Sequence, residues 1–436
     1  MVHDTTRGTT RDLTRHCTTG TTRGLPVSRR TLTRAAPAAP AALLLPGAGR
    51  AAAASPGALV LTLPAPSGRY PVGCRSVYLV DSSRPDPLEP ELPVRELMVT
   101  FLYPAAPCPG APARPAPQLP PGAADLFGLV APQTPLQLPA AGVDWAATRT
   151  HSRPDAPVRT GPPGRAARRP VLVYSPGGGD PRGLGTCLAE ELASHGAVVV
   201  LVDHPGDALA VEFPGTTAFR HDPVRSTVLR GDPRNRPPLW RAVIDARIAD
   251  LRFVLDRLHR AAELPLPPGL AAVLDLDRLA VYGHSAGASA VTEVFHEDRR
   301  VRAAVNLEGY LDHPPAAPGA TPEPLRITAQ GTDRPLLLLG SELFPHRDEL
   351  DRSWSALAAR SPGTVRRARV PAAGHWAFTD YAAMVPRLQH AGLLTPAHRD
   401  ALIGPLPAAE GFVRTLARHV GTFLTASWST GTAQSG

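Results

Sequence analysis

The sequence contains no lysine, so all 46 of its basic residues are arginine. With 52 prolines and abundant alanine, this bias reflects GC-rich coding and carries no mechanistic weight. Apolar runs of about 20 residues, the length of a membrane span, are also missing. A hydrophobic content of 43% over 436 residues is nevertheless ample for a large buried core. Both features predict a globular protein with one core, a disposable front end and no transmembrane segment. Cysteine is scarce as well, with residues only at 17, 74, 108 and 187. None has C-x-x-C spacing, which argues against a zinc site, and no metal is expected. In an oxidising exterior Cys74 and Cys108 could pair, leaving Cys187 buried in a helix. Three ordinary thiols fit the pattern equally well, because spacing does not establish disulfide geometry.

The formal charge of +8 is concentrated at one end. Within residues 1–54 eight arginines face only Asp4 and Asp12, a net of +6, so little excess is left for the remainder. A polyanionic partner such as nucleic acid is therefore not expected. In the same stretch, Ser28-Arg29-Arg30-Thr31-Leu32-Thr33-Arg34 precedes a mildly apolar run, Ala35 to Ala48, and small residues suited to cleavage near Ala52 to Ala54. This pattern resembles a twin-arginine export signal and predicts a secreted or extracytoplasmic location. Residues 1–27 show no periodicity and fit a start upstream of the true one. The expected organisation is a leader over 1–54, a single domain over 55–430 and a short tail over 431–436.

From Pro170 onward, short apolar runs alternate with longer amphipathic ones, the pattern of a parallel sheet covered by helices on both faces. Strands are predicted at Val171 to Tyr174, Ala197 to Val202, Leu279 to Tyr282, Val301 to Asn306, Pro335 to Leu339 and Thr364 to Val370. Helices are predicted at Leu184 to Ser194, Leu239 to Arg260, Ala286 to Phe295, Asp348 to Arg360 and Glu410 to Thr425. In the second helix, Val243, Ile244, Ile248, Leu251, Val254, Leu255 and Leu258 form one apolar stripe, and we read it as scaffold. Upstream, the alternating segments Ser76 to Val80 and Glu96 to Tyr103 predict an antiparallel edge. Residues 104–168 are proline-rich and are expected to wrap irregularly over the core. Residues 203–238 are expected to form a cap loop over a cleft, with Phe213-Pro214-Gly215 near the opening. The predicted fold class is α/β, a mostly parallel sheet with an antiparallel N-terminal edge and helices on both faces.

The chemistry centres on Gly283-His284-Ser285-Ala286-Gly287, which lies between an apolar strand and a small-residue helix. A pentapeptide of this type is weak by itself, but in strand–motif–helix order it defines a nucleophile elbow. Gly283 and Gly287 are needed because strand and helix backbones nearly touch, and the turn pushes Ser285 out of the sheet. The N–H of Ala286, at the helix start, is free to donate to an oxyanion. A second donor is expected from Ser175-Pro176-Gly177-Gly178-Gly179, assigned to Gly178 with Gly177 and Gly179 adjacent. This run lacks the pattern of a phosphate-binding loop. Of fifteen histidines, His375 is the candidate base: it follows the last predicted strand through Pro371-Ala372-Ala373-Gly374, expected to be a short flexible approach. The orienting carboxylate is open between Glu308 and Glu342, with Asp312 and Asp333 as outside options.

Taken together, Tyr174 to Gly179, the elbow, Asn306-Leu307-Glu308-Gly309-Tyr310, Arg334 to Glu342 and Gly374 to Asp380 resemble the lipoprotein-associated platelet-activating factor acetylhydrolases and related bacterial esterases. The resemblance spans roughly residues 68 to 385. In that family the fold is an α/β-hydrolase fold and the acid follows the sixth strand, so the resemblance implies Ser285, Glu308 and His375 as the triad, with Gly178 and Ala286 as oxyanion donors; Glu342, placed after the apolar strand Leu336 to Leu339, stays the alternative acid. Animal members carry Asp where Glu308 stands, so the longer side chain requires a shifted backbone. Pro176 replaces a His often found before the oxyanion glycine. The family's interfacial lipid-binding helices cannot be traced, although peripheral contact with lipid is implied. The expected activity is hydrolysis of carboxylic esters, including short or truncated acyl esters of phospholipids, without a cofactor. Acyl transfer or amide cleavage uses the same triad, and a catalytically silent binding protein is the alternative from another class.

Overall fold

A computed structural model describes residues 57–107, 114–161, 167–317, 319–406 and 408–431. The leader, its twin-arginine segment, Cys108 and the tail beyond 431 lie outside the described residues. The central sheet begins with two ten-residue strands, β1 (Val72–Asp81) and β2 (Arg95–Pro104), paired antiparallel over their whole length. It continues with β3 (Arg169–Ser175), β4 (Val198–Val202), β5 (Leu274–His284), β6 (Ala303–Leu307), β7 (Leu336–Ser341) and β8 (Val365–Val370). Their spatial order is β8-β7-β6-β5-β3-β4-β2-β1, and a two-residue strand, Arg153–Pro154, sits against β1. All pairings from β4 to β8 are parallel, and β2 joins β4 antiparallel.

Alternation along the strands explains why both faces are covered. Val171 and Val173 of β3 pack with Val198, Val200 and Val202 in one core, while Leu172, Tyr174, Val199 and Leu201 belong to the opposite one. Strands buried on both sides tolerate no polar alternation, which is why they read as continuous apolar runs. The main covering helices are α1 (Pro121–Val130), α2 (Thr186–Ser194), α3 (Pro237–His259), α4 (Ala286–Glu297), α5 (Arg347–Ala359), α6 (Tyr381–His390), α7 (Pro396–Ile403) and α8 (Ala409–Gly431). Among the described residues no helix is long and apolar enough to cross a membrane.

Two expectations are corrected here. Residues 104–168 are not wholly irregular: α1 starts at the proline pair 120–121, and its Phe127 is buried edge-on against Trp145. Glycines at 122 and 128 hide this helix from periodicity, yet Gly128 is where the Trp145 indole packs. Residues 203–238 are also not a loop throughout. Ala210–Glu212 and Val224–Ser226 pair antiparallel, and α3 starts at Pro237. Phe213 is buried against Tyr78 and Met98 of the first two strands rather than placed at an opening.

Register sets where the chain leaves the sheet. Ser175 is opposite Gly283, His284 opposite Leu307, and Leu307 opposite Leu339. The segments following β3, β5, β6 and β7 therefore emerge side by side at the carboxyl ends of the parallel strands, where α/β sheets place their sites.

Candidate active site

At the end of β5 the chain reverses into α4 through Ser285, which has φ 52° and ψ −120°. A side chain at Gly283 would meet the Gly287 carbonyl group at 2.6 Å, and one at Gly287 would meet the Ser175 carbonyl oxygen at 2.1 Å. The strained serine is thus over-determined by contacts on both sides. Its N–H donates to the Leu307 carbonyl at 3.0 Å, tying the elbow to the end of β6.

Directly after β6, Glu308 is also left-handed, at φ 61°. Its Oε2 lies 2.8 Å from His375 Nδ1. The Ser341 hydroxyl donates to Oε1 at 2.7 Å, and the Ser341 N–H donates to the same oxygen. Glu308 is buried and His375 is 13% exposed at its side chain, so this pair is largely removed from solvent screening. Ser341 was not identified from the sequence. Its signal is a hydroxyl at the end of an otherwise apolar strand, Leu336 to Ser341.

Of the two carboxylates left open, Glu308 reaches the imidazole and Glu342 does not. The exposed Glu342 carboxylate accepts the Ala372 N–H at 2.8 Å instead. That contact also corrects the expected flexible approach to His375. Ala372 is held at φ 57°, Leu343 N–H donates to Ala373 and Gly374 N–H donates to Ile403. Of the five non-glycine residues with positive φ among the described residues, Ser285, Glu308 and Ala372 all belong to this site. Asp312 lies 3.7 Å from Arg234, and Asp333 pairs with Arg299 at the surface.

His284, the variable residue of the elbow, stacks on His375 with ring centroids 4.6 Å apart. Its Nε2 donates to the His375 carbonyl at 3.0 Å. Burial, reinforced by the nearby His375, holds its pKa well below the usual histidine range, so the ring is neutral and locks the backbone of the His375 loop. Phe344 covers His375 from another side at 5.0 Å.

The segment after β3 brings Gly178 next to Ala286: a Cβ on Gly178 would lie 3.7 Å from the Ala286 methyl. Gly179 N–H is occupied by Asp207 Oδ1 at 2.9 Å, and Gly177 faces His284 and Asp180. Arg247, from the middle of α3, holds this segment. Its guanidinium donates to the Pro176 carbonyl at 2.6 Å and the Gly177 carbonyl at 2.9 Å, while Nε donates to Asp207 at 2.6 Å. With those carbonyls turned toward Arg247, the following N–H groups are turned away from it. A second buried chain runs beneath. Ser175 Oγ lies 2.9 Å from His204 Nε2, whose Nδ1 lies 2.9 Å from Asp250 Oδ2, itself paired with Arg95. Although burial alone would raise it, Arg95 and His204 hold the Asp250 carboxyl far below the usual range. Helix α3 is therefore more than scaffold. Arg247 and Asp250, buried polar residues inside the stripe that includes Ile244, Leu251 and Val254, are the signal that apolar periodicity passed over.

Next to the elbow, Arg234 lies 3.7 Å over the Tyr310 ring and 5.1 Å over Trp240. Trp240 packs with Ile244 on Ala286, and Tyr310 neighbours Phe344 at 5.9 Å. An aromatic wall so runs from the elbow to His375. No group of three or more His, Cys, Asp or Glu among the described residues is placed to hold a metal ion.

A nine-stranded, mostly parallel sheet with a strained serine between β5 and α4 defines an α/β-hydrolase. No protein-family model matches the chain. A solved ferulic acid esterase from Streptomyces cinnamoneus is 33% identical over 85% of this chain and 93% of its own, with a TM-score of 0.65. A protein of Arthroderma benhamiae described as a "probable 1-alkyl-2-acetylglycerophosphocholine esterase" is 26% identical over 359 residues, 80% of this chain and 84% of its own. The platelet-activating factor acetylhydrolase of Cavia porcellus is 23% identical over 190 residues, 38% of this chain and 40% of its own. The chain belongs to the α/β-hydrolase esterase family that these proteins represent.

Proposed function

We propose that this esterase cleaves carboxylic esters of small acyl groups through Ser285, with His375 as base and Glu308 as the orienting acid. The observation that carries this reading is the 2.8 Å contact between Glu308 Oε2 and His375 Nδ1 beside a strained serine elbow. With Nδ1 occupied, the imidazole is held in the tautomer whose Nε2 accepts a proton. Ser285 Oγ attacks the ester carbonyl, its proton passes to His375, and Glu308 stabilises the imidazolium. The Gly178 and Ala286 N–H groups receive the oxyanion, and the alcohol leaves with the proton from His375. Water, deprotonated by the same imidazole, then releases the acid and restores Ser285.

The relatives' names supply two substrate classes, acetyl esters of alkyl glycerophospholipids and ferulic acid esters. The aromatic wall of Trp240, Tyr310 and Phe344 favours adding aryl esters to short acyl phospholipid esters as substrates to test. A fluorophosphonate probe should label the purified protein once, and Ser285→Ala should abolish both labelling and hydrolysis of p-nitrophenyl acetate. Labelling that survives Ser285→Ala would overturn the assignment. Turnover of methyl ferulate, compared with that of phospholipids carrying a short or a long second acyl chain, sorts the substrate classes.

A further inference from the structure

At the opposite end of β3 from Ser175, about 20 Å away at ~3.3 Å per strand residue, lies a cavity of ≈ 540 Å³ that the esterase chemistry does not use. Arg169, the first residue of β3, is part of its wall and is only 8% exposed. Buried guanidinium groups are normally paired with carboxylates. Arg169 has no carboxylate partner among the described residues: besides the Tyr70 hydroxyl, which it shares with Arg69, its terminal nitrogens make long contacts to the Gly196 and Arg159 carbonyls at 3.5 and 3.3 Å, and its buried Nε has no acceptor.

The neighbourhood adds positive charge instead of neutralising it. Arg69, Arg159 and Arg169 gather on the single ring of Tyr70, at 4.7, 5.3 and 4.9 Å from its centroid. Their attraction to the ring face makes the cluster tolerable but does not cancel its charge. Arg168 and Arg278, also in the wall, share Asp275, and Arg168 reaches Asp277. Glu191, next in sequence to the lining Leu192, is itself engaged by Ser67 and His195. Trp428 lines the same cavity and has a buried indole N–H with no acceptor among the described residues. Leu172, Leu192 and Leu424 supply an apolar floor.

We propose that this cavity binds an anionic amphiphile, a carboxylate or phosphate monoester head on a single apolar chain. The head is held by the planar fork of Arg169 with Arg69, and the chain lies along the leucines and Trp428. Guanidinium groups bind both head groups in bidentate fashion, and the burial of Arg169 shields that pairing from solvent. The inference is independent of the triad assignment.

Calorimetric titration of the full chain with decanoate and with decyl phosphate tests it. One equivalent of one or both should bind. Inorganic phosphate should bind at least 10-fold more weakly, and decyl maltoside and decyltrimethylammonium not measurably. Arg169→Gln should weaken binding at least 10-fold while leaving p-nitrophenyl acetate hydrolysis unchanged. Should that variant fail to fold, the double replacement Arg69→Gln with Arg159→Gln, made outside the buried core, should weaken binding comparably. Equal binding of the neutral or cationic amphiphile, or of phosphate alone, overturns the proposal. So does binding that persists in the folded variants and competes with the ester substrate, since that ligand would sit at the active site.

Discussion

Glu308 and Glu342 are both acids following a strand of the parallel sheet, and what separates them is where each carboxylate ends. Glu308 is buried, receives two hydrogen bonds from Ser341 and touches His375. Glu342 is exposed and holds the Ala372 N–H. Glu308→Gln keeps the size but removes the charge that stabilises the imidazolium. It should lower kcat for p-nitrophenyl butyrate by ~10⁴-fold, the loss seen when a triad acid is neutralised. Glu342→Gln should change kcat by less than about 3-fold, because an amide oxygen still accepts a backbone N–H of a loop anchored elsewhere. Near-normal rates in the Glu308 variant would remove it from the triad. Ser285 and His375 were legible from sequence because the elbow and the segment after the last strand are local patterns. Periodicity did not choose the acid, since it places both carboxylates equally well; the family resemblance pointed to Glu308, the carboxylate that reaches His375.

At the level of elements, α3 and the segment after β3 act as one unit. Arg247 spans them, holding the carbonyls of Pro176 and Gly177 while pairing with Asp207, which in turn holds Gly179. Arg247→Lys retains a cation opposite Asp207 but loses the fork that fixes two carbonyls at once. The expected result is a fall in kcat of ~10- to 100-fold, a fraction of the ~10² to 10³ lost when an oxyanion donor is removed. KM should change by less than about 3-fold, because a displaced donor matters most where charge develops. A variant with normal kcat would show that the segment keeps its shape without the clamp. Sequence periodicity identified α3 as a helix within two residues at either end, yet assigned it no part in the site. A buried arginine in an apolar stripe identifies itself only once its acceptors, some 70 positions upstream, are folded against it.

Across the whole molecule, several acids are buried without a full complement of cations, and this makes stability depend on pH. Asp180, wholly buried and accepting from the Tyr381 hydroxyl at 3.2 Å, is pushed up to about 7, chiefly by desolvation. Between its unfolded value near 4 and about 7, the folded chain holds a proton that the unfolded chain has lost. The Asp180 contribution to stability therefore declines as pH rises through that window. Asp180→Asn removes this term and retains an acceptor for Tyr381. Relative to the parent, the variant should gain stability from pH 4 to pH 7 by at most about 1.4 kcal/mol per pH unit, read from denaturant midpoints at each pH. A difference independent of pH would show that Asp180 is ionised throughout.

The order of amino acids alone specified the class of sheet, the elbow with its two glycines, the candidate catalytic base and six of the strands to within a few residues. It could do so because parallel strands buried on both faces, and a turn too tight for a side chain, leave marks within a dozen residues. The helix at Pro121–Val130 escaped because its glycines make room for Trp145, a contact between segments. Folding supplied the contacts of Glu308 with His375, of Ser341 and His284 with this pair, and of Arg247 with the segment carrying Gly178. Each of these is a hydrogen bond between residues dozens of positions apart, set by strand register and side-chain reach rather than by any periodic pattern.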